Sequence, residues 1–145
     1  MIRTNPAIRP ACREEWSALI AIWEKAVGET HGFLAPEDFA QIKSQIPQYF
    51  GAVELYVWED GGITTGFVGL AGDMVEMLFV AERGKGIGRA LLDFAVAEKG
   101  ARRLDVNEQN TQARGFYEKY GFTVAGRSEL DTGGRPYPLL HMELK

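Results

Sequence analysis

The sequence predicts a mixed α/β domain in which strands, a helix, a strand, a second helix and a closing hairpin surround one right-handed crossover. Three observations predict it. A near-continuous apolar strand, Met74 to Val80, runs into the glycine-rich string Arg83-Gly84-Lys85-Gly86-Ile87-Gly88-Arg89 and then into a helical face. A short alternating strand follows, with Leu104 and Val106 on one side and Asp105 and Asn107 on the other. The segment Asn110 to Tyr120 then reads as a further helix, stopped by Gly121 at its C′ position.

The remaining elements follow in chain order. Ile2 to Ile8 reads as a short first strand, interrupted by Pro6. From Ala11 to Val27 the apolar residues Trp16, Leu19, Ile20, Trp23 and Val27 fall at helical spacing. Glu14, Glu15 and Glu24 serve the wet side, and Gly28 is the expected stop. Thr30-His31-Gly32-Phe33-Leu34 reads as a loop. Pro36-Glu37-Asp38 has the composition of a first helical turn, and Pro47 is expected to end or kink that helix. Leu55 to Trp58 and Gly66 to Leu70 read as a hairpin around Asp60-Gly61-Gly62. After the glycine string, Ile87, Ala90, Leu91, Phe94 and Ala95 form one helix face. The last two strands flank the turn Asp131-Thr132-Gly133-Gly134.

Composition bounds the function. A chain of 145 residues holds one core and is short for two domains, so a single domain over 1–145 is expected. The formal net charge of −4 disfavours a general nucleic-acid or anionic-membrane binder, leaving a local basic patch at Arg83, Lys85 and Arg89. Cys12 is the only cysteine, which excludes an intrachain disulfide, and its expected role is a small side chain near a helix start. His31 and His141 are the only histidines and show no ligand spacing, so no metal is expected. No apolar stretch follows Met1-Ile2-Arg3-Thr4-Asn5, and the longest apolar run, Ala18 to Trp23, is too short to span a bilayer. A cytoplasmic location and no membrane partner are the expectations.

The glycine string carries chemistry. Glycines at 84, 86 and 88 let backbone N–H groups turn inward without Cβ atoms in the way. The helix N-terminus behind them favours a diphosphate, with Arg83, Lys85 and Arg89 supplying full charges. It is not a P-loop, since no Gly-x-x-x-x-Gly-Lys-Ser/Thr string exists. A dinucleotide fingerprint is broken at its third position by Arg89 or Leu91, although Asp105 lies about 20 residues on.

Joined to Asn110, Ala113, Tyr117, Gly121 and Phe122, these residues resemble the GCN5-related N-acetyltransferase (GNAT) superfamily. Arg83, Gly86 and Gly88 match its pyrophosphate-binding Arg-x-x-Gly-x-Gly, and the later segment matches its Asn-x-x-Ala-x-x-x-Tyr-x-x-x-Gly-Phe motif at every position. More narrowly, the chain resembles the bacterial YjaB-type acetyltransferases in Thr30-His31-x-Phe33-Leu34, Val106-Asn107-Glu108-Gln109-Asn110, Gly126-Arg127-Ser128-Glu129 and Pro136-Tyr137-Pro138-Leu139-Leu140. One departure is that Val80-Ala81-Glu82-Arg83 is two residues shorter than is usual in the superfamily.

The resemblance implies a mixed, mostly antiparallel central sheet with about four helices and a splayed parallel pair of strands at the cofactor site. It implies an acetyl-CoA-dependent N-acetyltransferase acting by direct attack of a primary amine, from a small molecule or a peptide, within a ternary complex. The alternative is a non-catalytic acyl-CoA-binding or sensing domain of the same fold. Backbone groups of Leu78, Phe79 and Val80 would hold the pantetheine arm, with the Leu78 N–H serving the oxyanion. Arg83 to Arg89 would hold the diphosphate, and Asn110, Ala113 and Phe116 complete the expected cofactor site. Tyr117 is the expected acid. An unperturbed phenol lies about 1.5 pKa units above a thiol, so it acts either with a lowered pKa or as a hydrogen-bond donor. An alkylamine is mostly charged at neutral pH and needs a base. Glu76 is ranked first, then Asp105 and His31, with a water chain ending on a carboxylate as another route. Trp23, Phe33, Tyr49 and Tyr137 are candidates for an acceptor pocket, of which one or two are expected to serve. The chain is expected to be a monomer or a homodimer.

Overall fold

In the computed structural model, residues 7–30 and 32–145 are described. They form two compact units, one ending at Ala101 and one running from Arg102 to Lys145. No helix among the described residues is long and apolar enough to cross a membrane.

The larger unit contains β1 (Ile8–Pro10), α1 (Trp16–Thr30), α2 (Pro36–Gly51), β2 (Glu54–Asp60), β3 (Ile63–Ala71), β4 (Met74–Val80) and α3 (Ile87–Lys99). Its strands pair antiparallel in the order β1, β2, β3, β4. Helices cover both faces of this sheet. Leu19, Ile22, Trp23 and Val27 of α1, with Ile46 and Phe50 of α2, close over Val57 and Phe67. On the other face α3 comes down on Gly66, where an added Cβ would stand 3.0 Å from Ile87 Cγ2 and 3.2 Å from Leu91 Cδ1. Double coverage explains why β3 is buried from Gly66 through Leu70.

Several boundaries differ from expectation. The first strand is Ile8–Pro10, and most of the segment Ile2 to Ile8 lies outside the described residues. A 3-10 turn at Arg13–Glu15 precedes α1, so Cys12 sits ahead of that turn and the helix starts later than Ala11. Gly28 does not stop α1, which continues to Thr30. Glycine at one position costs only about 1 kcal/mol in a helix, less than the burial of Trp23 and Val27 contributes. Pro47 lies inside α2 without ending it; the last turn is held because Phe50, 2% exposed, packs edge-on against Trp16 and Phe67. The β2–β3 turn is Gly61-Gly62, with φ of 60° and 84°, the two positive angles a two-residue hairpin turn requires.

The smaller unit contains β5 (Arg103–Asn107), α4 (Thr111–Tyr120), β6 (Phe122–Ser128) and β7 (Leu139–Leu144). β7 pairs antiparallel with both β5 and β6, so the last strand is the middle one. Leu104, Val106, Leu140, Met142 and Phe122 are buried on the face that α4 covers. Asp105 and His141 are directly opposite each other on the other face.

Candidate active site

β4 carries a β-bulge. Gly69 of β3 stands opposite Met77 while Leu70 stands opposite Val75, leaving Glu76 as the extra residue. This explains how an exposed carboxylate interrupts an otherwise apolar strand, because a bulge re-aims the side chain it carries. Beyond it Leu78, Phe79 and Val80 pair with Val68, Phe67 and Gly66. The Ala81 N–H extends this ladder to the Thr65 carbonyl at 2.8 Å, and Lys25 Nζ donates to the Ala81 carbonyl at 3.0 Å. The entry to the glycine loop is therefore held from both β3 and α1.

Gly84 and Gly86 have φ of 81° and 78°, and Gly86 is the N-cap of α3. No other atoms lie within 4 Å of where their Cβ atoms would stand, so the loop faces open space. Gly88 does not share this conformation; with Arg89 it lies in the first turn of α3. Ile87 is buried against the sheet and anchors that turn. Arg83, Lys85 and Arg89 are exposed, with Lys85 3.3 Å from Glu82 and Arg89 3.6 Å from Asp93. A left-handed pair of glycines at a helix N-terminus, rimmed by three cations, fits a diphosphate.

In the smaller unit Asn110 Oδ1 accepts the Ala113 N–H at 3.2 Å and caps α4. The Asn-x-x-Ala spacing is thus the N-cap to N3 spacing. At the other end the Gly121 N–H bonds the Tyr117 and Glu118 carbonyls, with φ of 130°. Between these caps Phe116 and Tyr117 lie edge to face at 5.2 Å, and the Tyr117 ring is 6.0 Å from that of Phe122. Tyr117 is half-buried, and desolvation of its phenol pushes its pKa above the ordinary tyrosine value. The phenol therefore stays protonated through the neutral range and is a hydrogen-bond donor.

Asp105 is not a lone strand carboxylate. His141 Nδ1 lies 2.7 Å from Asp105 Oδ1, and Ser128 Oγ lies 2.6 Å from His141 Nε2. Neither Ser128 nor His141 was expected at the site. Alternation along the last strand places His141 opposite in facing to Leu140 and Met142, but only the register with β5 and β6 shows what it meets. His31 lies outside the described residues. Of the four aromatic candidates, Trp23 and Tyr137 are buried, Phe33 is half-buried and Tyr49 is exposed on α2. Trp23 packs on Phe39 at 5.1 Å in the core of the larger unit.

An acetyltransferase (GNAT) domain model matches residues 51–124. The peptidyl-lysine N-acetyltransferase YjaB of Salmonella typhimurium is 41% identical over 138 residues, covering 93% of this chain and 95% of its own. The chain belongs to the GNAT acetyltransferase family. Its fold is the mixed, mostly antiparallel α/β fold that the sequence predicts. The solution structure of the apo form of YjaB from Escherichia coli superimposes with a TM-score of 0.87 at 39% identity, over 94% of this chain and 95% of that one. A GCN5-related N-acetyltransferase from Rhodopseudomonas palustris, 23% identical over 100% of this chain and 98% of that one, shares the fold with a TM-score of 0.77. This GNAT chain is a transferase, an N-acetyltransferase that moves an acetyl group to an amine. Acetyltransferases of this family use acetyl-CoA.

Proposed function

We propose that this GNAT domain acetylates the ε-amine of lysine side chains in proteins or peptides, by direct attack on acetyl-CoA within a ternary complex. The observation that carries this reading is the 41% identity, over nearly the full length of both chains, to a peptidyl-lysine N-acetyltransferase. A family match that runs from residue 51 to 124, across the Ala101–Arg102 boundary, supports treating residues 1–145 as one catalytic domain.

Acetyl-CoA supplies the activated acetyl thioester. Arg83, Lys85 and Arg89, with the N–H groups around Gly84 and Gly86, bind its diphosphate. The backbone of Leu78, Phe79 and Val80 orients the pantetheine arm as an added strand, and the Leu78 N–H stabilises the oxyanion. Tyr117 donates a hydrogen bond to the departing sulfur. Burial raises its pKa, which favours donation of a hydrogen bond over full loss of the phenol proton. Asn110 sets the start of the helix that carries the phenol.

The test is incubation of the protein with acetyl-CoA and a panel of lysine peptides, small primary amines and peptide N-termini, read by mass spectrometry and thiol release. Acetyl-lysine in the peptides is the expected product. Turnover confined to small amines would overturn the acceptor class, and acetyl-CoA binding without turnover would favour the sensing domain.

A further inference from the structure

Three polar side chains stand in a row across the smaller sheet. Asp105 of β5 and Gly126 of β6 both lie opposite His141 of β7. Ser128, two residues beyond Gly126, shares its face. An added Cβ at Gly126 would lie 3.4 Å from His141 Cδ2, so the glycine leaves the imidazole room to reach across β6.

The hydrogen bonds give the row a direction. An ionised carboxylate only accepts, so His141 Nδ1–H donates to Asp105 Oδ1 at 2.7 Å. His141 Nε2 then carries the lone pair and accepts the Ser128 O–H at 2.6 Å. A proton arriving at Ser128 Oγ moves the hydroxyl proton onto Nε2 and leaves an imidazolium against Asp105. The row is open to solvent, the His141 and Asp105 side chains being 39% and 29% exposed. The charged groups facing His141 are Asp105 and, one step along the same face, the opposed pair Arg103 and Glu143; β6 contributes only Thr123, Gly126 and Ser128 there.

α4 covers the opposite face, and the Tyr117 ring packs toward Phe122 on that side. Donor and base thus flank the same three strands from opposite sides. In acyl transfer the nitrogen adds to the thioester carbonyl and the sulfur leaves from the tetrahedral intermediate, so the base acts on the entering atom and the donor on the departing one.

We propose that Ser128 and His141 form the acceptor-side proton relay of the transfer, with Asp105 as the positioning residue that fixes the imidazole tautomer. The inference rests on the lysine-acetylation reading above, and it moves the base role expected of Glu76 to His141. The relay removes one proton from the lysine ammonium through Ser128 Oγ to His141 Nε2, which returns it to solvent. The freed amine attacks, the N–C bond forms and the C–S bond breaks. The second nitrogen proton goes to the departing sulfur, to which Tyr117 donates its hydrogen bond.

Two measurements test it. Nitrogen-15 NMR of the free protein reads the tautomer without any turnover. The Nδ1–H form with a downfield Nδ1 proton is expected, lost in Asp105→Asn, and an Nε2–H form overturns the relay. The second is the pH dependence of kcat/KM for a lysine peptide at saturating acetyl-CoA. His141→Ala is expected to lose at least about tenfold, to change the shape of the acidic side of the profile, and to regain rate with added imidazole. A profile that superimposes on the parent overturns the relay. If His141→Ala does not fold, Ser128→Ala takes its place, with a displaced limb expected and an unmoved one overturning the proposal. A parent protein that acetylates no lysine peptide sinks the acceptor class, while the NMR arm still judges the relay geometry.

Discussion

Asn110 Oδ1 and the Ala113 N–H, 3.2 Å apart, fix where the helix carrying Tyr117 begins. Replacing Asn110 by Ala removes that acceptor. The expected cost is about 1 kcal/mol of stability, with kcat reduced as the first turn frays and the phenol loses its place. Asn110→Asp, which caps equally well, is expected to keep most of both. Urea unfolding alongside steady-state rates checks this. Equal stability of the Ala variant would remove the capping role.

Tyr117→Phe deletes one oxygen and keeps the ring contacts with Phe116 and Phe122. A lower kcat, by about 10²-fold, with little change in the KM for acetyl-CoA is the expected result. Because burial raises the phenol pKa, the group stays protonated as pH rises, so no fall in rate below about pH 10 belongs to it. Unchanged turnover in the Phe variant would dismiss the donor role.

Gly86 holds φ of 78° at the N-cap of α3. Gly86→Val places a β-branched residue in the left-handed region, at a cost of order 1–3 kcal/mol, and turns the cradle. The expected effect is a KM for acetyl-CoA raised about tenfold or more, with kcat at saturation much less affected. Isothermal titration with coenzyme A gives the same answer without turnover. Unaltered affinity would detach the loop from the diphosphate.

Glu15 makes the larger unit sensitive to acid. Arg9 donates to it from two nitrogens at 2.7 and 2.9 Å, and the Cys12 N–H and Thr64 hydroxyl add bonds of 2.7 and 3.1 Å. Chiefly through Arg9, these bonds hold the carboxyl at about 2, against an ordinary value of 4.5. A depressed folded pKa contributes stability that is full above the unfolded value and is lost as pH falls through the folded one. The window is therefore about pH 4.5 down to about pH 2. Arg9 is partly open to water, so solvent screening reduces the contribution to about 1–2 kcal/mol. Urea midpoints across this range are expected to fall more steeply in the parent than in Glu15→Gln. Parallel curves would reject the linkage.

Much of the architecture was legible before any coordinates. The β2–β3 hairpin turn, the α3 face and the alternation of Leu104 and Val106 follow from periodicities of 3.6 and 2 and from glycine placement. α1 does not stop at Gly28 and α2 does not end at Pro47, because apolar burial carries each helix past its local breaker. In the candidate site, the glycine loop and the Asn110–Phe122 segment were visible because each is contiguous and its chemistry is local.

The sequence by itself determined the α/β pattern, the stop of α4 at Gly121, the glycine-rich turn ahead of α3 and the place of Tyr117 on α4. Those properties depend on backbone dihedrals and on spacing within one element. The tertiary structure alone decided that Glu76 is a bulge residue, that Tyr117 is desolvated, and that Asp105, His141 and Ser128 share hydrogen bonds. The bulge and the hydrogen-bonded row depend on strand register, where a shift of one residue turns every side chain to the other face, and the desolvation of Tyr117 depends on what packs around α4; no local signal records either.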